Sequence, residues 1–373
     1  MQRSFIREIL EAISPQTLSL AGGLPDESLF PLQALSHCAQ KVLSQPHSLQ
    51  YSISQGLPVL REKIAQHYSE LGFPTNVDEI LITTGAQQAL DLLSKALASS
   101  GLIVESPAYL GAIGAFKSNQ IPLVEIEMEE DGIELESLRA KLPKHRLAYL
   151  MSDFQNPTSR RYSLSKRQEI ARLIESSEAI LIEDGAYNEL YFKERFPSIS
   201  SLIPHRSFHV GTFSKILSPS LRVGFIRASK ENLAKILPYK ESMDLHTSGI
   251  TQGIVNAFWE EYDFKAHKEK IRHAYALKAK ALAQALQTHC PSFSFKEPEG
   301  GMFIYGSFAK GVDARALAFD SLKQGAVFVP GGEFYLQRRQ SPEARLNFTH
   351  LDPRSLDLGV QIIAQTLRAQ TKQ

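Results

Sequence analysis

Cysteine is nearly absent from the chain. Its 373 residues contain only Cys38 and Cys290, which have neither the number nor the spacing for a disulfide framework or a zinc site, so a reducing, cytoplasmic setting and no metal are expected. An excess of one charge is missing too. The 41 Lys and Arg against 40 Asp and Glu leave a net charge of +1, which argues against a nucleic-acid partner. No run approaches the roughly 18 apolar residues that a bilayer span requires, and no membrane association is expected. Arg3, Arg7 and Glu8 interrupt the first ten residues, leaving no apolar core for a signal peptide. Fixed-period repeats, Gly/Ser-rich linkers and blocks of like charge are also lacking.

What is present is a chain with 43% hydrophobic, 22% charged and 9% aromatic residues, close to the soluble globular average. A strand–turn–helix rhythm recurs along it. Glu79-Ile-Leu-Ile-Thr-Thr-Gly85 is a β-branched run, and the segment after it repeats Leu90, Leu93 and Leu97 at helical spacing. Leu102–Glu105, Leu147–Leu150, Ala179–Ile182 and Phe208–Val210 are further short apolar runs, the pattern of strands buried on both faces of a mostly parallel sheet. From Asp263 to Thr288 there is neither Gly nor Pro, which predicts one long helix with Ile271, Ala274, Tyr275, Ala281, Leu282 and Leu286 as face positions. Shorter strands are expected at 293–295, 302–305, 327–329 and 345–349. The organisation expected is α/β: a large α/β domain over 41–260, a small C-terminal α+β domain over 261–373, and an N-terminal segment, 1–40, packing with the small domain.

In open parallel sheets ligands bind beyond the carboxyl ends of the strands, and four such ends carry polar residues. Gly85-Ala86-Gln87 opens a helix whose unpaired N–H groups suit an anion; a plain tight turn is the alternative. Asn156, before Pro157, can donate a directed hydrogen bond, though Asn-Pro is also an ordinary turn. Glu183 and Asp184, followed by Tyr187, close a buried strand, where a carboxylate needs a positive partner or a helix N-cap role. Lys215 follows a strand among Thr212, Ser214 and Ser218, with Arg222 seven residues on. Such a lysine near another cation can act as a nucleophile towards carbonyl carbon, whereas an isolated Ser-Lys is usually a solvated surface group.

Read in order, these segments closely resemble the fold-type I pyridoxal-phosphate aminotransferases of class I/II, in particular the 2-aminoadipate (kynurenine-type) branch. The likeness runs almost from end to end, through Ser4–Leu10, Leu20–Pro25, Leu29–Pro31, Gln50–Ser52, Thr84–Leu90, Glu105–Ala112, Phe154–Thr158, Thr212–Lys215, Gly300–Phe303, Phe328–Gly332 and Arg345–Phe348. It implies a large pyridoxal-phosphate-binding domain with a mostly parallel seven-stranded sheet flanked by helices, plus the smaller α+β domain. It further implies that Lys215 forms the Schiff base with pyridoxal 5'-phosphate and moves the substrate's α-proton. Asp184 would pair with the pyridine nitrogen, Asn156 and Tyr187 would bond the ring's phenolic oxygen, and Tyr109 would stack on the ring. The phosphate would be held at Gly85, Ala86 and Gln87, by Thr212, Ser214 and Arg222, and by Tyr51 reaching across from the other subunit of a homodimer. Arg345 matches the clamp for the substrate carboxylate, with Asn156 and Gly23 beside it. Arg7 aligns with a residue that can approach the substrate side chain.

The reaction implied is ping-pong transfer of an amino group from an L-amino acid to a 2-oxo acid, with 2-oxoglutarate the expected acceptor. A lyase or decarboxylase on the same fold, and a non-catalytic pyridoxal-phosphate-binding sensor domain, are the alternatives. The chain departs from the family pattern at Ala86, where many relatives have Ser, at Ser159, where Gly is usual, and at Ser152-Asp153, in place of an expected Pro. Weaker phosphate contacts are expected from Ala86.

Overall fold

The computed structural model describes residue 9 and residues 13–97 and 101–370. Near the N-terminus β1 (Leu18–Ser19) pairs in parallel with β12 (Ala326–Val327). The large sheet is built from β2 (Ile80–Thr83), β3 (Leu102–Ser106), β4 (Leu123–Glu129), β5 (Gly132–Ile133), β6 (Leu147–Leu150), β7 (Ile180–Asp184), β8 (Ser207–Thr212) and β9 (Gly224–Arg227). Their order across the sheet is β2-β9-β8-β7-β6-β3-β4-β5. All run the same way except β9 and β5, which lie antiparallel to their neighbours. The expected mostly parallel sheet is therefore present; its seven strands carry the two-residue β5 hairpin as an eighth.

Alternation of side chains sorts the strands onto two cores. On β3, Leu102 and Val104 join one cluster and Ile103 the other; on β6, Leu147 and Tyr149 part from Ala148 and Leu150 in the same way. Helices cover both faces: Leu90 and Leu93 of the helix Gly85–Ala96 pack on one, Ile170 and Ile174 of the helix Leu164–Glu175 on the other. Strands covered on both sides need no polar face, which is why β2, β3 and β6 are buried throughout. By contrast, β4 lies near the sheet edge and alternates Glu125, Glu127 and Glu129 with its apolar positions. It does not read as an apolar run, and β9 is four residues long; neither was predicted from sequence.

The long helix runs Phe264–His289, with Asp263 accepting the Ala266 N–H as its cap. Ile271, Tyr275, Leu282 and Leu286 are buried as predicted, while Ala274 and Ala281 are half-buried and Ala279 and Ala283 take the interior instead. Beyond it β10 (Ser294–Phe295), β11 (Phe303–Ser307), β13 (Val329–Pro330) and β14 (Glu343–Asn347) form an antiparallel sheet in the order β10-β11-β14-β13. Among the described residues, no helix is long and apolar enough to cross a membrane.

Candidate active site

Because β2, β3, β6, β7 and β8 run the same way, their polar ends open on one side of the sheet. After β2 the chain turns at Gly85, whose φ of +75° lies in the left-handed region. A Cβ there would stand 2.5 Å from Nη2 of Arg222, so only glycine lets the guanidinium approach this backbone. The helix that follows has no side-chain cap from Thr84, which leaves its first N–H groups available to an anion. Arg222 donates to the carbonyls of Thr84 and Pro219, both at 3.3 Å. At the end of β8, the Thr212 hydroxyl donates to Ser214 Oγ at 3.0 Å and accepts the Ser214 N–H at 3.2 Å. This gathers the predicted anion-binding donors. Gln87 and Arg222 are exposed, and the Gln87 side-chain amide is turned to the Gly111 carbonyl at 2.9 Å.

At the end of β7, Asp184 is 1% exposed. Its Oδ2 accepts the Tyr149 hydroxyl at 2.9 Å and its Oδ1 the Ala186 N–H at 3.0 Å. Burial raises its pKa against the pull of these donors. The adjacent Glu183 has the capping role: it accepts the N–H groups of Ile199 and Ser200 at 3.0 and 2.7 Å, with His209 Nδ1 3.5 Å away. Burial would raise the Glu183 pKa, but His209, Ser152 and Ser200 lower it well below the ordinary carboxylate value. Glu183 thus takes the capping role, one of the two that sequence left open.

Asn156 bridges the deepest part of the cleft. Its Nδ2 donates to the Tyr187 hydroxyl at 3.1 Å and its Oδ1 accepts Nη1 of Arg345 at 2.6 Å. Arg345 also donates from Nη2 to the Ala21 carbonyl at 2.7 Å, and its guanidinium lies 4.1 Å and 4.9 Å from the ring centroids of Phe303 and Phe334. Its Nε is buried without a partner. Burial pushes its pKa down to about 10. Lys215 donates from Nζ to the Gly23 carbonyl at 2.9 Å. Burial, then the charges of Arg345 and Arg222, bring its pKa down to about 8, so far more of the amine is neutral near physiological pH than in water. Burial and the charge of Asp184 raise the pKa of the Tyr109 hydroxyl, which locates Tyr109 in the same electrostatic neighbourhood.

One predicted residue stands apart. Tyr51 is 81% exposed and packs edge-on against His246, with ring centroids 6.1 Å apart. Arg7 lies outside the described residues. The departures from the family pattern have local causes. Asp153 is gripped by Arg167 at 2.6 and 3.1 Å and by Arg161 at 3.3 Å, an ionic anchor for the loop that carries Asn156. Ser159 takes a φ of +54°, a conformation natural to glycine, and its hydroxyl donates to the Phe303 carbonyl at 2.5 Å. Tyr149, Phe303 and Phe334 had no predicted part in the site. Tyr149 had a signal, since a tyrosine inside a buried strand needs a partner for its hydroxyl; the two phenylalanines had none, since nothing along the chain marks which rings will flank a guanidinium.

The family model for aminotransferase class I and II matches residues 17–363. The chain is 35% identical to a 2-aminoadipate transaminase of Thermus thermophilus over 381 residues, covering 99% of this chain and 94% of that protein. Among solved structures it is similar to LysN, an α-aminoadipate aminotransferase of Thermus thermophilus complexed with N-(5'-phosphopyridoxyl)-L-leucine, at a TM-score of 0.92 and 34% identity, covering 100% and 96% of the two chains. It is also similar to the kynurenine aminotransferase of Pyrococcus horikoshii, at a TM-score of 0.94 and 30% identity with the same coverage.

Proposed function

The chain belongs to the class I and II aminotransferases and is a pyridoxal-phosphate-dependent transaminase, and from that premise we propose that it moves the amino group of an L-amino acid to 2-oxoglutarate at a site centred on Lys215. When bound, pyridoxal 5'-phosphate supplies an aldehyde to hold the amino group and a protonated ring to take up electrons released at the substrate's α-carbon. The residues fit such a group: a helix N-terminus, Thr212, Ser214 and Arg222 suit its phosphate, and a buried carboxylate suits its ring nitrogen. At Gly85 the missing Cβ lets the Arg222 guanidinium approach the backbone that opens this helix.

The observation that carries the reading is the Lys215 amine, held 2.9 Å from the Gly23 carbonyl and brought down to about pKa 8 by burial and then by the charges of Arg345 and Arg222. An amine with a neutral fraction far larger than in water at working pH can hold the cofactor covalently and later carry a proton to and from the substrate's α-carbon. Asp184 would hold the ring nitrogen protonated, a role supported by its burial at the end of β7. Asn156 and Tyr187 would share the ring's phenolic oxygen, supported by their mutual hydrogen bond. Tyr109 would stack on the ring, and Gly85, Ala86 and Gln87 would offer backbone N–H groups to the phosphate. Arg345 would clamp the substrate carboxylate beside Asn156 and Gly23, supported by its unpartnered Nε and by flanking rings that exclude water. An acidic amino donor recognised by Arg7 is part of the same proposal, and the 2-aminoadipate transaminase relative favours it.

A homodimer with Tyr51 reaching the partner's phosphate site is supported by the exposure of Leu49, Tyr51 and Ile53 in one short segment. A cytoplasmic location is supported by Cys38 and Cys290, both free and buried. The test is a single half-reaction: loaded enzyme mixed with one amino donor and no acceptor should release one equivalent of 2-oxo acid per subunit, and 2-oxoglutarate should restore it for another round. Release of carbon dioxide, or of pyruvate from donors other than alanine, would overturn the proposal.

A further inference from the structure

Glu105, on β3, has no exposed surface and no part in the roles above. Its Oε1 accepts the Met151 N–H at 3.0 Å and the Tyr162 hydroxyl at 2.6 Å, and its Oε2 accepts Nε2 of Gln155 at 3.1 Å. Among the described residues no Lys, Arg or His side chain forms an ion pair with it. Burial pushes its carboxyl up to about 7, while its donors hold it back. A carboxylate set so deep without a cation is costly, and its position calls for a physical account.

The account lies in Gln155. The same amide nitrogen that donates to Glu105 also donates to the Pro107 carbonyl at 2.8 Å. Its Oε1 accepts both the N–H and the hydroxyl of Thr158, at 2.9 and 2.6 Å, so the two donors and two lone pairs of the side chain are all engaged. Through this one side chain the loop that leaves β3 and ends in Tyr109 is tied to the loop that leaves β6 and carries Asn156. Only an acceptor can receive the three donors that converge on Glu105. A glutamine there would turn its own NH2 against one of them and leave a buried donor unmatched.

We propose that Glu105 is a positioning residue for the reaction, fixing the Asn156 loop against the Tyr109 loop through Gln155. The inference deepens the function proposed above and rests on its assignment of Asn156 and Tyr109 to the cofactor ring. Loaded Glu105→Gln enzyme should lose about tenfold to a hundredfold in kcat, the scale of a small misplacement of reacting groups. The pH midpoint of the bound cofactor's absorbance change should shift by about half a unit or more, because that midpoint reports the hydrogen bonding of the ring. Tyr162→Phe removes a bond to the same carboxylate without cutting the link between the loops; it should lower Tm and leave both the midpoint and kcat in place.

Should Glu105→Gln fail to fold, Gln155→Met cuts the link from the other side and should reproduce the shifted midpoint. A folded Glu105→Gln or Gln155→Met enzyme that loses Tm as Tyr162→Phe does, yet keeps the wild-type midpoint and kcat, would overturn the proposal. The midpoint comparison needs no substrate. A wild type that binds cofactor but transfers no amino group would therefore sink the transaminase reaction alone.

Discussion

On the wall of the cleft built from the ends of β6, β7 and β14, functional side chains are held by other buried side chains. Asn156 lies between Tyr187 and Arg345, and Asp184 is held by Tyr149. On the wall at the start of the helix Gly85–Ala96 the donors are backbone N–H groups, two hydroxyls and an Arg222 whose bonds to carbonyls are both 3.3 Å long. The first wall is pre-organised: its groups are desolvated and, apart from Nε of Arg345, already paired, so a change to one leaves another unsatisfied. The second wall is open and made largely of main chain, so single side chains can vary there. Ala86, where relatives have Ser, lies on the second wall, and so does the proposed contribution of Tyr51 from a partner subunit.

If this contrast is right, substitutions on the first wall should cost far more than those on the second. Asp184→Ala should reduce the half-reaction rate by about 10³-fold, the scale of a lost electrostatic stabiliser; a comparable loss of rate from Thr212→Ala would break the contrast. Arg345→Lys keeps the charge but loses the fork, and about a hundredfold rise in KM for the amino donor is expected, with kcat less affected. On the open wall, Ala86→Ser adds a hydroxyl where the phosphate is proposed to sit. Equilibrium titration of the apoenzyme should give a cofactor Kd lower by about threefold to tenfold, matching roughly 0.5–1.5 kcal/mol for a hydrogen bond, with kcat unchanged.

A further effect, on stability and not on rate, is a pH dependence of the apoenzyme. With a pKa near 8 when folded and 10.5 ordinarily, Lys215 binds fewer protons in the folded chain than in the unfolded one between those values. Stability therefore rises with pH across that window, and the cost of the buried charge is fully present below pH 8. Thermal melts of wild type and Lys215→Met from pH 7 to 11 should show the variant the more stable at pH 7 and the difference closing by about pH 10.5. A constant difference would mean that the amine is not desolvated.

Much of the site was legible because strand ends concentrate chemistry. Gly85, Asp184 and Lys215 each follow a short apolar run, and their residue types state what they can do. Tyr149 lies inside such a run, where its hydroxyl signals the need for a partner but not which residue supplies it. That Glu183, not Asp184, caps the helix at Ile199 was hidden as well, since adjacent carboxylates look alike until the strand sends them to opposite faces. Glu105 and Gln155 carried no local mark, because a buried link between two loops has no period and no fixed spacing.

The order of strands and helices, the residues at each strand end and the membership of the family were determined by the sequence itself, because burial on two faces and helical spacing are properties of neighbours along the chain. Which of those residues meet was decided only by the tertiary structure. Asn156 and Arg345 are 189 positions apart and Lys215 and Gly23 are 192 apart. A contact over such a separation depends on how the sheets pack around one core, not on any pattern the chain carries locally.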